Sequence, residues 1–343
     1  MILVNDPGSW ESIYSPLKHA EWNGCTPTDL IFPFFLFIVG ISITYALKSA
    51  KQNPKNAYAK LVKRTTLLFL FGFFLNLFPE FDFSSVRILG VLQRISFVFL
   101  ISALCFLHLN KKQIIWTGGA ILVMYWVLMC FVPNPAFETG MLEPGKNIGA
   151  WIDSALLPGH MWKFTQTWDP EGVLSTLPAI VTGLSGVLTG IWLQSQMDSS
   201  RKLIELFVTG SYLILAGLIW NLQFPINKSL WTSSYVLYTS GIALILLGLV
   251  YWRIDIQQKH TFTKPFLVFG SNAIAVYMLS EILADLVVTI KIQEKSLKEI
   301  IVEFLSADFI PKEFTSFAFA LLWVGMIYIP AHILYRKKIF LKV

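Results

Sequence analysis

The sequence predicts an all-α fold, a polytopic helical bundle embedded in a membrane. Three observations carry that prediction. Hydrophobic residues make up 55% of the 343 and charged residues 14%, against about 25% charged in a soluble domain. Mean hydropathy is +0.61. Apolar runs recur from end to end, each near the ~20 residues that cross a ~30 Å hydrocarbon core as a helix.

Taken in order, the runs give nine full spans, at about 30–48, 63–79, 88–107, 114–132, 173–193, 204–221, 233–252, 266–289 and 316–335. The first follows a polar stretch holding His19, Glu21, Trp22, Asn23, Thr26 and Asp29, and it carries no charge from Leu30 to Leu47. Pro33, Pro178, Gly183 and Gly186 fall inside spans, where neighbouring helices can satisfy the backbone groups they free. Gly183, Ser185, Gly186 and Gly190 let two helices approach closely, and a homodimer through such faces is expected.

Loop charge sets the orientation. If the loop after the first span is inside, most of the lysines and arginines fall on that side, among them Lys48, Lys51, Lys60, Lys63, Arg64, Lys111, Arg201, Arg253, Arg336 and Lys338. The C-terminus is then cytoplasmic, and His19, the 133–172 loop and the 290–315 segment are outside. That loop is longer than a plain connector and reads as a lid or an extracytoplasmic cap on a single domain spanning 1–343. Nine spans with the C-terminus inside leave Met1 outside, with nothing in 1–29 long enough to carry it there. Met1–Val4 therefore reads as the remnant of a tenth span whose first part is absent; restoring it puts both ends inside. Met1–Val4 is also too short for a signal peptide.

The pI near 9.1 does not point to nucleic acid, because the basic residues gather in loops between spans and form no single patch. Cys25, Cys105 and Cys130 are scattered, so neither a disulfide framework nor a metal site is expected. No zinc-ligand spacing, glycine-rich phosphate loop or Gly-x-Ser-x-Gly elbow is present.

Several residues carry chemistry. An imidazole at His19 can accept and return a proton or attack an acyl carbonyl; it can equally be an interfacial histidine in a polar loop. Asp29 can orient that imidazole, or serve as the first-turn acid of a helix starting at Thr26-Pro27. Arg87 and Arg94 are seven apart, which on one helix puts them on one face two turns apart. Arg94 lies inside a span, where a charge costs about 2.5–3.5 kcal/mol on insertion scales. The pair suits phosphates or a carboxylate, or locks helices through a buried acid. Asp169 and Glu171 sit before the 173–193 span and suit a sugar or amine, or the positive end of a helix dipole. Asn227, Lys228 and Trp231 lie at another outside mouth. Glu281 and Asp285 share a face of the 266–289 span with Asn272 nearby, and suit a proton or cation path or partnership with Arg94. They are the best feature for an alternative function, a solute transporter with an intramembrane charge relay. The absence of an internal repeat weighs against it.

The motif His19-Ala-x-Trp22-Asn23-Gly24-x-Thr26-x-x-Asp29-Leu30, followed by Phe32-Pro33-Phe34, resembles the signature of the heparan-α-glucosaminide N-acetyltransferase family and its bacterial relatives. The likeness continues through Val86-Arg87-Ile88-x-Gly90-Val91-Leu92-Gln93-Arg94, Asp169-Pro170-Glu171-Gly172 and Pro225-Ile226-Asn227-Lys228-x-Leu230-Trp231. It ends with Gly270-x-Asn272 and Leu334-Tyr335-Arg336-Lys337-Lys338-Ile339-Phe340. Members of the family normally begin with a span carrying a Ser-Leu-Asp-x-x-Arg-Gly-like segment, which this chain lacks.

The resemblance implies a transmembrane acetyltransferase in the cytoplasmic membrane of a bacterium. It would move acetyl from cytosolic acetyl-CoA to the amino group of an extracytoplasmic amino sugar, with no metal. His19 matches the family's active-site histidine and Asn5 its helix-end asparagine, the expected donor to an oxyanion. Trp22, Asn23, Asp169, Glu171, Asn227, Lys228 and Trp231 are expected on the acceptor side, and Arg87, Gln93, Arg94 and Asn272 on the donor side. An acetyl-histidine intermediate and direct transfer both remain open at this level.

Overall fold

The computed structural model describes residues 1–341. The chain is helical almost throughout: α1 (Ile2–Asn5), α2 (Ile31–Ala46), α3 (Lys55–Leu77), α4 (Val91–His108), α5 (Lys111–Phe131), α6 (Ile148–Leu156), α7 (Thr176–Leu193), α8 (Ser199–Asn221), α9 (Ser233–Tyr251), α10 (Thr263–Ser271), α11 (Ala273–Thr289), α12 (Leu297–Leu305) and α13 (Lys312–Arg336). A two-stranded antiparallel hairpin, β1 (Lys291–Ile292) and β2 (Lys295–Ser296), precedes α12.

Among the described residues, seven helices are long and apolar enough to cross a membrane: α2 with its preceding turn, α4, α5, α7, α8, α9 and α13. The expected span at 266–289 is not one rod. It is α10 and α11, bent by 82° at Asn272, and it adds an eighth crossing if the pair is read as one broken span. Hydropathy runs unbroken across that bend, which is why the sequence reads as a single helix. The expected span at 63–79 is α3, whose apolar part begins only after Lys60, Lys63 and Arg64.

α2, α4 and α7 form the centre. Leu36, Ile43, Val98, Ala103, Ala179 and Val187 are fully buried in one cluster. α2 crosses α7 with backbones in contact: a Cβ at Gly40 would meet the Gly183 carbonyl, and one at Gly186 the Phe37 carbonyl. The glycine stripe that suggested a dimer seam is therefore used up inside the chain, as such stripes are where helix backbones must touch. α8 packs along α9 in the same manner at Gly210, Gly217 and Gly241.

At one end of the bundle the connections fold over the core and hold one another. Gly24 N–H donates to Ile226 O at 2.7 Å. Trp22 Nε1 donates to Leu142 O at 2.9 Å. Ile88 N–H donates to His160 O at 3.1 Å, and His160 Nδ1 lies 2.8 Å from Val86 O. The 133–172 segment, with α6 inside it, is thus fastened to the loops before α2 and α4.

Candidate active site

A cavity of about 970 Å³ opens under these loops. Its walls bring together distant parts of the chain, including Asn5, His19, Trp22 and Asp29 from the N-terminal segment, Arg87 before α4 and Gln93 on it, Glu171, Lys228 and Trp231, and Tyr277, Glu281 and Asp285 on α11.

His19 is positioned by Asp29. The chain turns into α2 through a 3-10 turn, Pro27–Leu30, with proline at its first position. Asp29 in that turn accepts the Thr26 backbone N–H at 3.0 Å, the acid's half of a capping box. The same Oδ2 accepts the Ala20 N–H at 3.0 Å. The other oxygen, Oδ1, lies 2.6 Å from His19 Nδ1. Asp29 is 1% exposed, and a buried carboxylate persists when donors surround it. One carboxylate thus stands at both places the sequence offered, at the helix start and against the imidazole. An ionised carboxylate only accepts, so Nδ1 carries a proton, and in the neutral imidazole the lone pair is then on Nε2. Tyr235, buried on α9, donates to the Asp29 carbonyl at 2.5 Å and fixes the turn from behind.

Lys228 Nζ lies 3.1 Å from His19 Nδ1, 3.3 Å from Nε2 and 3.8 Å from Asp29 Oδ1. A nitrogen nearly equidistant from both ring nitrogens cannot lie in the ring plane, where it would collide with Cε1. The ammonium therefore stands over the ring face, leaving the in-plane lone pair of Nε2 open. Burial lowers the Lys228 pKa below its ordinary value, against the pull of the Asp29 carboxylate.

The remaining expected site residues divide. Arg87 does not share a helix with Arg94, because α4 begins only at Val91. It lies in an extended segment, where its Nε and Nη2 donate to Asp169 at 2.8 and 2.5 Å and Nη2 also donates to Glu171. Donor-side and acceptor-side expectations thus meet in one ion cluster at the cavity wall. Asp169 and Glu171 precede α7 but turn to Arg87 and do not cap the helix. Arg94 is 1% exposed and pairs with neither Glu281 nor Asp285. It donates to Ser175 Oγ and the Gly172 carbonyl, and its guanidinium carbon sits 5.1 Å from the centre of the Trp231 ring. Coulomb attraction to Glu171 and Asp169 acts on it from beyond contact.

Asn227 and Asn272 are occupied structurally. Asn227 Nδ2 donates to Trp22 O at 3.0 Å and to Asn23 Oδ1 at 3.2 Å, and its Oδ1 accepts the Leu230 N–H at 2.8 Å. Neither Asn23 nor Asn227 lines the cavity. Asn272, at the α10–α11 bend, donates to Ile339 O and accepts the Leu341 N–H, so it ties the end of the chain to the bend, away from the cavity. Trp231 presents a buried ring to the cavity, held by Nε1 donating to Thr182 Oγ1 at 3.1 Å and by edge contacts with Phe32 and Tyr235. Asn5 Nδ2 donates to Glu281 Oε1 at 3.1 Å. Gln93 is 1% exposed, and its Nε2 has no hydrogen-bond partner.

Sequence reasoning missed Asp153 on α6. Its two oxygens accept the Val173 N–H at 2.9 Å and the Asp169 N–H at 3.3 Å, shaping the turn that presents Asp169 and Glu171. Burial pushes its carboxyl up to about 6, against those two donors. A lone acid in an apolar stretch gave no signal. Trp168, edge-on to Trp22 at 5.2 Å, adjoins Asp169 and was within reach of the motif; Trp162 and Lys163 were not.

The family model described as heparan-alpha-glucosaminide N-acetyltransferase, catalytic, matches residues 13–148, which include His19, Asp29, Arg87, Gln93 and Arg94. The curated protein named heparan-alpha-glucosaminide N-acetyltransferase from Mus musculus is 30% identical over 405 residues, and that of Homo sapiens 29%. Each alignment covers 100% of this chain and 58% of the relative, so the chain spans little more than half the length of the curated proteins it matches. The family's catalytic model lies across the His19 cavity, and the chain is similar to the heparan-alpha-glucosaminide N-acetyltransferases along its whole length.

Proposed function

We propose that this chain is a transmembrane acetyltransferase that moves acetyl from acetyl-CoA to the primary amine of an amino sugar, with His19 as the proton acceptor. The observation that carries the reading is the Asp29–His19 pair facing a cavity of about 970 Å³. That volume lies at the upper end of the ~300–1,000 Å³ usual for small-molecule sites, room enough for an acyl arm and a sugar together. The donor set fits an acyl group as well. Asn5 uses one of its two Nδ2 hydrogens on Glu281 and keeps the other for an oxygen that gains negative charge. Lys228 adds a positive charge beside the ring.

Acetyl-CoA supplies an activated thioester carbonyl. The chain's residues do the rest. Asp29 holds the imidazole in the tautomer with Nε2 open. Nε2 takes the proton from the amine as the nitrogen–carbon bond forms; the carbon–sulfur bond then breaks, and the departing CoA sulfur takes that proton from Nε2. Asn5 and Lys228 offset the charge on oxygen and sulfur. Trp22 and Trp168 give the sugar an apolar wall. Arg87, clamped on Asp169 and Glu171, holds the outer loop in place over the cavity. In this reading the donor comes from the cytosolic side of a bacterial cytoplasmic membrane, the acceptor from the other side, and the C-terminus is cytosolic.

The test is transfer of labelled acetyl from acetyl-CoA to glucosamine by purified protein in detergent. His19→Ala is expected to abolish it with the unfolding midpoint unchanged; full activity in that variant contradicts the role given to His19. Transport is the second reading, since Glu281 and Asp285 also line the cavity. Solute uptake into proteoliposomes without acetyl-CoA, driven by an imposed gradient, would favour it.

A further inference from the structure

Glu281 and its neighbours on α11 take no part in the transfer step above, yet they face the same cavity as His19. Two carboxylates, Glu281 and Asp285, line it, and a third, Asp6, lies buried behind them outside the lining. Asp6, 7% exposed, accepts from Ser280 Oγ at 3.0 Å, and Ser280 in turn accepts from Trp323 Nε1 at 3.0 Å. Glu281 accepts from Asn5, and Asp285 lies one turn further on. Among the described residues, none of the three is in an ion pair. The cations that act on them, the Met1 amino group on Asp6 and Glu281, Lys298 on Asp6 and Lys163 on Asp285, do so from beyond contact distance.

Carboxylates one turn apart on a helix repel one another, and a cation that joins them is held in proportion. A cluster of acids does not by itself make a site. The second observation is Gln93 on the same cavity. Its carboxamide is 1% exposed with Nε2 unpaired, and a buried N–H without an acceptor costs about 1–3 kcal/mol. The cavity therefore asks for a ligand that brings both a positive charge and a hydroxyl or carbonyl oxygen.

We propose that Glu281 binds the ammonium of the acceptor amino sugar and so selects amines over neutral sugars, with Gln93 Nε2 donating to one of the sugar's oxygens. The identity of the ligand rests on the acetyltransferase reading, but the recognition does not need the transfer step. It also accounts for product release. The bound ammonium gives up one proton to solvent to free its lone pair, and acetylation of the amine then leaves a neutral amide, which removes the charge Glu281 holds. Glu281 is then a specificity residue, and its link to Asn5 places the captured nitrogen next to the residue that faces the reacting carbonyl.

The experiment measures binding of glucosamine and of N-acetylglucosamine to the full chain without acetyl-CoA, at a pH where the amine is protonated. The wild-type protein is expected to prefer glucosamine by about tenfold or more, the scale of one charge-assisted hydrogen bond. Glu281→Gln should abolish the preference, Glu281→Asp should keep most of it, and His19→Ala should leave it intact. Unfolding midpoints show that each variant is folded. A preference that survives in Glu281→Gln overturns the proposal, as does a wild-type protein that transfers acetyl yet binds the two sugars equally. A preference lost only in Glu281→Gln, in a protein that transfers no acetyl, supports the ammonium site and refutes the acetyltransferase reading instead.

Discussion

His19 Nδ1 and Asp29 Oδ1 lie 2.6 Å apart, with the carboxylate buried and the imidazole open to the cavity. That pairing fixes which ring nitrogen is free. Asp29→Asn keeps the shape but places an amide where only an acceptor serves, so the imidazole is turned or shifted to its other tautomer. Transfer should fall by about 10²–10⁴-fold, the range ascribed to a positioned general base. The check is kcat at saturating donor and acceptor, with the Tm measured alongside because Asp29 also starts α2.

Arg87 holds two carboxylates, one of them fully buried. Arg87→Gln leaves both without their cation, and Asp169 with backbone donors alone. Breaking a buried pair from one side costs about 3–5 kcal/mol, so the Tm in detergent should drop markedly. Adding Asp169→Asn and Glu171→Gln to the same protein should recover much of the loss. No recovery in the triple variant would mean that the guanidinium acts elsewhere.

Asp153 makes stability depend on pH. Its carboxyl is pushed up from an ordinary 3.8 to about 6 in the folded chain. At low pH both states hold the proton. As pH rises from about 4 to 6 the unfolded chain releases it first, so stability falls over that window, by about 3 kcal/mol in all, and levels off above it. Asp153→Asn should flatten that part of the pH–Tm curve, and the slope is the readout, since the amide also loses one acceptor.

The α2–α7 crossing allows no side chain at Gly186, whose added Cβ would run into the Phe37 carbonyl. Gly186→Ala should cost about 1–3 kcal/mol through forced separation of the helices. It should also lower activity, because α2 carries the Asp29 turn. Gly119, with open space around it, is the control, and Gly119→Ala should leave both Tm and activity near wild type.

These contacts show what the sequence could reveal and where it stopped. The membrane bundle was legible because hydropathy is a one-dimensional signal, and the His19–Asp29 pair because both residues lie in one polar stretch before one helix. The Arg87 cluster joins motifs 82 residues apart; each motif was visible, but their pairing was not. Arg94 suits Glu281 and Asp285 on the rule that a buried charge needs partners, whereas a carbonyl and a hydroxyl just before α7 and an aromatic ring just before α9 serve instead. The bend at Asn272 was hidden because Gly270-Ser271-Asn272 interrupts helical geometry without interrupting hydropathy. Asn227 and Asn272 stood in motifs that look like ligand sites, yet their amides are spent on backbone.

Acetyl transfer through His19 in this cavity is read most simply by comparing labelled acetyl passed from acetyl-CoA to glucosamine by the wild-type protein and by His19→Ala, at equal Tm. Transfer by the wild type and a loss of at least about 10²-fold in the variant are expected. Equal transfer by both would contradict that role for His19.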